Sequence, residues 1–268
     1  MTEKLRIPSP SLEELQGQPP RVPLPPLKVG LLGMGRVGSL VAQELSEAPD
    51  VDLRWVVRRN VPDGEPEASP WPVLADDQLT ADWLQACPVD VVVDFSSSSG
   101  VKHYGLLADA GCCIVSAVSR YEAPDLAVLH ALAQRTGVMH SPNITVGINF
   151  VLVASRLLRR LAPHADVEII EEHFRNKPEV SGTALKLAKA LELSEEQVHS
   201  VRVGGIVGRH QVVFGFPNQT IRIIHESISG NAFGQGALFA ARWMRGRPPG
   251  LYNMRQAVES SFLETMMD

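Results

Sequence analysis

One short stretch gathers residues that can do proton chemistry: Glu172-His173-Phe174-Arg175-Asn176-Lys177, then Ser181-Gly182-Thr183-Ala184-Leu185. An imidazole such as His173 gains or loses its proton near neutral pH, so it can act as a general acid or base. Lys177 adds a fixed positive charge. Ser181 or Thr183, entering a helix, can cap it and leave the N–H groups of Gly182 and Thr183 facing outward, where a carboxylate binds. The stretch suits a small dianionic substrate that must be held and protonated. Far upstream, Leu32-Gly33-Met34-Gly35-Arg36-Val37-Gly38 has the G-x-G-x-x-G spacing of a dinucleotide-binding turn. Gly33 would allow the tight turn, Gly35 the approach of a pyrophosphate, and Gly38 close helix–strand packing. The pair of features points to hydride transfer between a nicotinamide cofactor and a small carboxylated substrate.

The glycine turn has meaning only between a strand and a helix, and the pattern supplies both. Lys28–Leu32 reads as a strand and Ser39–Ala48 as a helix. Strands follow at Val51–Val57, Val89–Phe95, Cys112–Val115 and Val138–His140, with helices at Ala81–Ala86, Val101–Ala110 and Asp125–Thr136. The alternation predicts a Rossmann-type, doubly wound parallel sheet over 28–142. After Pro142 the texture changes. Helices are predicted at Phe150–Leu161, Ser181–Leu193 and Gly234–Met244. Strands are predicted at Val167–Glu172, Val201–Val207, Gln211–Phe216 and Thr220–Ser227. The last three strands have no helices between them, so they predict a mixed or antiparallel sheet in an α+β domain over 143–242. That domain would bind substrate and mediate oligomerisation. Residues 243–268 would pack back on the first domain. Residues 1–27 carry seven prolines and read as an extended or disordered leader, with a short helix at Ser11–Gly17.

The second strand ends in Arg58 and Arg59, where an acidic residue would bind the ribose hydroxyls of NAD. A guanidinium pairs with a 2′-phosphate, so NADP(H) is favoured over NAD(H). Bulk composition narrows the rest. The net charge of −5 gives a nucleic-acid partner no global support. No apolar run approaches a membrane span, and no secretory signal is visible. Three cysteines, two of them adjacent, form no disulfide framework, which places the chain in a reducing cytoplasm. The eight histidines show no metal-ligand spacing, so no metal is expected.

The run Glu171-Glu172-His173-Phe174-Arg175-Asn176-Lys177-Pro178-Glu179-Val180-Ser181-Gly182-Thr183-Ala184 resembles the E-x-H-H-x-x-K-x-D-x-P-S-G-T-A segment of the 4-hydroxy-tetrahydrodipicolinate reductase family, of lysine and diaminopimelate biosynthesis. Ser141–Asn149 is similar to that family's A-P-N-x-S-x-G-V-N hinge, and Gly205–His210 to its G-x-I-V-G-x-H run. Ile224-His225-Glu226-Ser227 matches its T-H-x-A run in part, and Arg36 matches the arginine of its glycine turn. The resemblance implies that His173 is the general acid and that Lys177 assists protonation and binds substrate. It implies a carboxylate site at Ser181, Gly182 and Thr183. It implies cofactor contacts from Gly33 to Gly38, with Met34, Gly35, Arg36 and Val37 between, and from Phe95, Ser96, Ser116 and Asn143. A homotetramer, built through the second sheet, or a dimer is also implied.

The sequence departs from that pattern near the chemistry. The second histidine is Phe174, and Glu179-Val180 replaces Asp-x-Pro. The G-T-T-G nicotinamide loop falls at Ser116-Ala117-Val118-Ser119, and D-F-T becomes Asp94-Phe95-Ser96. Residues 28–60 also resemble the start of NADP-dependent meso-diaminopimelate dehydrogenase. Two further readings therefore stand: a same-fold amino-acid dehydrogenase or reductase of another imine, and a non-catalytic NADP(H)-binding sensor.

Overall fold

A computed structural model describes residues 24–59 and 69–267. Most of the expected leader, its short helix and most of the loop expected at 61–70 lie outside the described residues.

The first half builds a seven-stranded, all-parallel sheet. Its strands are β1 (Leu27–Leu32), β2 (Val51–Arg58), β3 (Val73–Ala75), β4 (Val91–Asp94), β5 (Cys113–Ser116), β6 (Gly137–His140) and, from the far end of the chain, β11 (Gly250–Tyr252). The order is β11-β6-β5-β4-β1-β2-β3. The connecting helices are α1 (Arg36–Glu47), α2 (Ala81–Ala86), α3 (Tyr104–Asp109) and α4 (Ala123–Leu132). Strand periodicity sorts the side chains. Val29, Leu31, Val91 and Val93 enter the core on one face, while Leu32 and Val92 enter the core on the other. Both faces are covered, which is why these strands read as continuous apolar runs. β1 lies between β2 and β4, so the chain winds away in both directions from its end. The crevice at that reversal is where doubly wound sheets hold ligands.

The second half builds a four-stranded mixed sheet in the order β10-β9-β7-β8, from β7 (Asp166–His173), β8 (Val198–Arg202), β9 (Arg209–Phe216) and β10 (Gln219–Glu226). β7 runs parallel to β8 and antiparallel to β9. Helices α5 (Val146–Leu161) and α6 (Gly182–Leu191) cover one face, packing Ile148, Val151, Leu187 and Leu191 on Val167, Ile169, Val212 and Phe214. Alternation along β7 brings Glu171 and His173 onto that covered face. α7 (Asn231–Met244) returns to the first sheet and lies along α1, where a Cβ on Gly234 would press on Glu44 and the Leu40 carbonyl. α8 (Met254–Met267) ends the described chain.

The strand expected at Val201–Val207 is Val198–Arg202 instead. Gly204 takes φ +54 and turns the chain, so residues 203–208 connect strands rather than form one. The helix expected from Val101 begins as a 3-10 turn over Ser98–His103. β3, β11 and α8 have no counterpart among the expected elements. Two of them are three-residue strands beside prolines, too short to show a period. Among the described residues no helix is long and apolar enough to cross a membrane.

Candidate active site

The glycine turn follows β1 and opens α1. Gly33 has φ +96, and a Cβ there would lie 2.7 Å from the backbone of Phe95 and Ser96. A Cβ on Gly38 would collide with the Gly33 carbonyl, whereas Gly35 has nothing within 4 Å. The first turn of α1 has no side-chain cap and no acidic residue. Its free N–H groups are open to an anion, as a pyrophosphate requires. A cleft of about 400 Å³ runs from this turn past Arg58 and Arg59 to Asp76 and His103, with Met34, Phe95 and Ser96 in its wall. Arg59 donates to Ser97 Oγ at 2.9 Å. Asp76 pairs with Lys102 and, at 2.8 Å, with His103 Nε2. Burial opposes its charge, but these partners hold its carboxyl below the usual range. Arg36 is exposed at the start of α1.

A second cleft continues through Phe95 and Ser96, lined by Val37, Ala117–Arg120, Pro142, Ile144 and Phe233. Ser116, expected among the cofactor contacts, has its side chain fully buried beneath this cleft. Its Oγ lies 2.7 Å from Tyr121 Oη, so the serine supports the loop from beneath. Asn143 ties the hinge to the second half: its Nδ2 donates to Thr183 Oγ1 at 3.3 Å, and its Oδ1 accepts from Thr145.

His173 ends β7, two residues after Glu171 on the same face. His173 Nδ1 lies 2.5 Å from Glu171 Oε2. Glu171 is fully buried and also receives Arg202 Nη1 at 2.9 Å, Arg202 Nη2 at 2.6 Å, Ser200 Oγ at 2.5 Å and the Ser181 N–H at 3.2 Å. Burial alone would raise the Glu171 pKa; the bonds from Arg202, Ser200, His173 and Ser181 outweigh it and bring the group down to about 2. An ionised carboxylate can only accept, so Nδ1 of His173 carries the proton. Nε2 is left as the exchangeable position. Among the described residues it takes no protein hydrogen bond, and it faces Gly208, where a Cβ would stand 3.1 Å away.

Lys177 is half-buried in the turn after β7. Its N–H donates to the Phe174 carbonyl at 3.1 Å, and its carbonyl accepts from Arg202 Nε at 3.1 Å. The arginine that neutralises Glu171 thus also fixes the lysine turn. Ser181 stands at the N-cap of α6, but its hydroxyl makes no cap bond. It turns inward to His210 Nε2 at 2.8 Å. The expectation of a capping hydroxyl is corrected here: buried His210 claims it. The Gly182 backbone is exposed and open. His210 packs edge-on to His173 with ring centroids 5.3 Å apart. Burial, with His173 and His225 nearby, lowers the His210 pKa to about 4.

The site therefore contains His173, Lys177 and Ser181 as expected neighbours, plus Glu171, Arg202, Ser200 and His210. A period-2 signal links Glu171 to His173 in the sequence. Nothing local signals Arg202, and His210 stands out only as the last residue of the family-like run Gly205–His210; the two reach Glu171 and Ser181 through strand register.

Comparison with known proteins identifies the family of the chain. Residues 27–144 match the family described as dihydrodipicolinate reductase, N-terminus, and residues 145–258 match its C-terminus. The 4-hydroxy-tetrahydrodipicolinate reductase of Granulibacter bethesdensis is 30% identical over 259 residues, covering 85% of this chain and 95% of the relative. That of Myxococcus xanthus is 35% identical over 196 residues, covering 64% and 72%. Among solved structures, dipicolinate-bound dihydrodipicolinate reductase from Paenisporosarcina sp. TG-14 superposes with a TM-score of 0.72 at 22% identity, covering 85% of this chain and 97% of that one. C. glutamicum DAP dehydrogenase in complex with DAP gives 0.57 at 14% identity, covering 91% and 99%, and shares the fold. The sensor reading gives way, and the first half is a pyridine-nucleotide-binding domain. The chain belongs to the dihydrodipicolinate reductase family of NAD(P)H-dependent oxidoreductases.

Proposed function

We propose that this enzyme reduces an unsaturated cyclic imine dicarboxylate with NADPH, as a 4-hydroxy-tetrahydrodipicolinate reductase of lysine and diaminopimelate biosynthesis. The observation that carries the reading is the fixed tautomer of His173, with Nδ1 held by ionised Glu171 and Nε2 free. Protonated His173 gives up the Nε2 proton and keeps Nδ1–H on Glu171, so the proton is delivered without ring rotation. Lys177 supplies positive charge beside the transfer. The open N–H groups of Gly182 and Thr183 hold one substrate carboxylate. The cofactor, when bound, supplies the hydride. Gly33–Gly38 hold its pyrophosphate, and Arg58 and Arg59 support a preference for a 2′-phosphate. In this reading 28–142 and 243–268 carry the nucleotide, and 143–242 bind substrate and assemble the oligomer, a cytoplasmic tetramer or dimer.

A second reading follows from Phe174, which is 45% exposed where the family motif has its second histidine. An aromatic surface there suits a different substrate, as in an NADP-dependent amino-acid dehydrogenase. The deciding experiment offers the freshly made condensation product of pyruvate and aspartate semialdehyde and follows NADPH oxidation. Saturable turnover supports the reductase. Its absence, with NADP reduction by a diamino acid at alkaline pH, establishes the second reading.

A further inference from the structure

The loop at 116–119 differs from the family's G-T-T-G, yet it is tied down by side chains that glycine lacks. Ser116 Oγ lies 2.7 Å from Tyr121 Oη, and Tyr121 Oη lies 2.9 Å from Tyr104 Oη. Tyr104 donates to Asp94 Oδ2 at 2.6 Å. The other Asp94 oxygen accepts from the Ser96 N–H at 2.7 Å and from Ser96 Oγ at 2.6 Å. Asp94, Tyr104 and Ser116 are all fully buried. Val118 is gripped from both sides: its N–H donates to Ser116 Oγ at 3.4 Å, and its carbonyl accepts from His140 Nε2 at 3.2 Å. The His140 ring in turn meets Tyr121 edge-on at 5.1 Å.

The chain of bonds has one consistent direction. Val118 N–H donates to Ser116, Ser116 to Tyr121, Tyr121 to Tyr104 and Tyr104 to Asp94. Every hydroxyl then donates once and accepts once, which satisfies each buried group. Burial and the nearby Asp94 charge raise the Tyr104 phenol well above its usual range, and burial raises Tyr121 to about 12. Both phenols therefore remain donors. The two ends of this chain emerge in the same place: Phe95 and Ser96 from β4, and Ala117, Val118 and Ser119 from β5, all line the second cleft.

We propose that Tyr121 is a positioning residue for the nicotinamide half of the cofactor, holding the Ala117–Ser119 loop to the β4 end through Ser116, Tyr104 and Asp94. A fully satisfied network of this kind fixes one loop geometry, and a glycine at 116 would leave Tyr121 and the Val118 N–H without this partner. The proposal rests on the placement of the cofactor argued above.

The test compares binding of NADPH with binding of 2′,5′-ADP, which lacks the nicotinamide half. In Tyr121→Phe the ring still packs on His140, but the two hydroxyl bonds are cut. The expected result is a roughly 10-fold rise in the Kd for NADPH, the scale of one lost hydrogen bond, with the Kd for 2′,5′-ADP within about 2-fold. Ser116→Ala cuts the same chain and serves if Tyr121→Phe fails to fold. The double variant should be no worse than the poorer single one, because both changes remove one linked set of bonds. Equal weakening of both ligands, or unchanged binding of both by a folded variant, overturns the positioning role. Wild-type protein that binds NADPH but not 2′,5′-ADP overturns the cofactor placement itself.

Discussion

Glu171 Oε2 and His173 Nδ1 stand 2.5 Å apart on the covered face of β7, and Glu171 owes its charge to Arg202, Ser200 and the Ser181 backbone. The acid–base residue is thus oriented by a carboxylate that a neighbouring strand keeps ionised. Glu171→Gln removes the charge that selects the tautomer and leaves Arg202 without its partner. The expected loss in kcat is about 10- to 100-fold, the range for partners that orient a reacting imidazole. Unfolding stability should fall by about 3 kcal/mol because Arg202 is left unpaired. Steady-state kinetics beside chemical denaturation separates the two. A stability loss with unchanged kcat would make Glu171 a fold residue only.

His210 and Glu171 make the fold acid-sensitive over two successive pH ranges. The folded pKa of His210, about 4, lies below its ordinary 6.5. Above that value neither state is protonated here and the residue adds no pH dependence. As pH falls below 6.5, the unfolded chain takes up a proton that folded His210 refuses. Stability is lost down to about pH 4, amounting to about 3 kcal/mol at roughly 1.4 kcal/mol per unit. Glu171 follows: its stabilisation is complete above its ordinary 4.5 and is lost as pH falls toward about 2. His210→Asn should shrink the loss over the first range, to which half-buried His140 and His225 also contribute, and leave the second. Urea unfolding at about pH 7.5 and about pH 5 checks it; an unchanged difference in the variant would refute the assignment.

Much of the frame was legible because strand and helix periods are local. Every helix-flanked strand of the parallel sheet longer than three residues was visible as an apolar run. β3 and β11 were not, since three residues carry no period, and β8 was displaced because Gly204 turns the chain inside an apparently continuous β run. The site was legible where its residues are consecutive, as in His173 to Thr183 and Gly33 to Gly38. It was not legible where register decides. β7 pairs Glu171 with Ser200 on one side and with His210 on the other, and no spacing in the sequence announces those partners. Ser116 shows the same limit: its position suggests a cofactor contact, and no spacing announces that its side chain is buried against Tyr121.

Gly35 and Gly38 of the turn should separate binding from folding. Gly35→Ala places a methyl group in open space, so thermal stability should stay within about 0.5 kcal/mol of wild type. The same methyl group stands where a pyrophosphate approaches, and NADPH affinity should fall about 10-fold or more. Gly38→Ala meets the Gly33 carbonyl and should cost about 1–3 kcal/mol of stability. Calorimetry with cofactor titration measures both. Equal destabilisation by the two changes would contradict the division of roles.

Arg58 and Arg59 line the cleft beyond the turn. Replacing both with Ala should raise the Kd for NADPH by about 10-fold or more and that for NADH by no more than about 2-fold, since only NADPH offers a 2′-phosphate to a guanidinium. Equal weakening of the two cofactors would remove the arginines from phosphate recognition.

Protonation by His173 is most directly tested by the kcat of His173→Gln with the condensation product of pyruvate and aspartate semialdehyde, beside wild type. A general acid in this position requires a fall of roughly 10²–10⁴ with NADPH affinity unchanged. Turnover equal to wild type would contradict it.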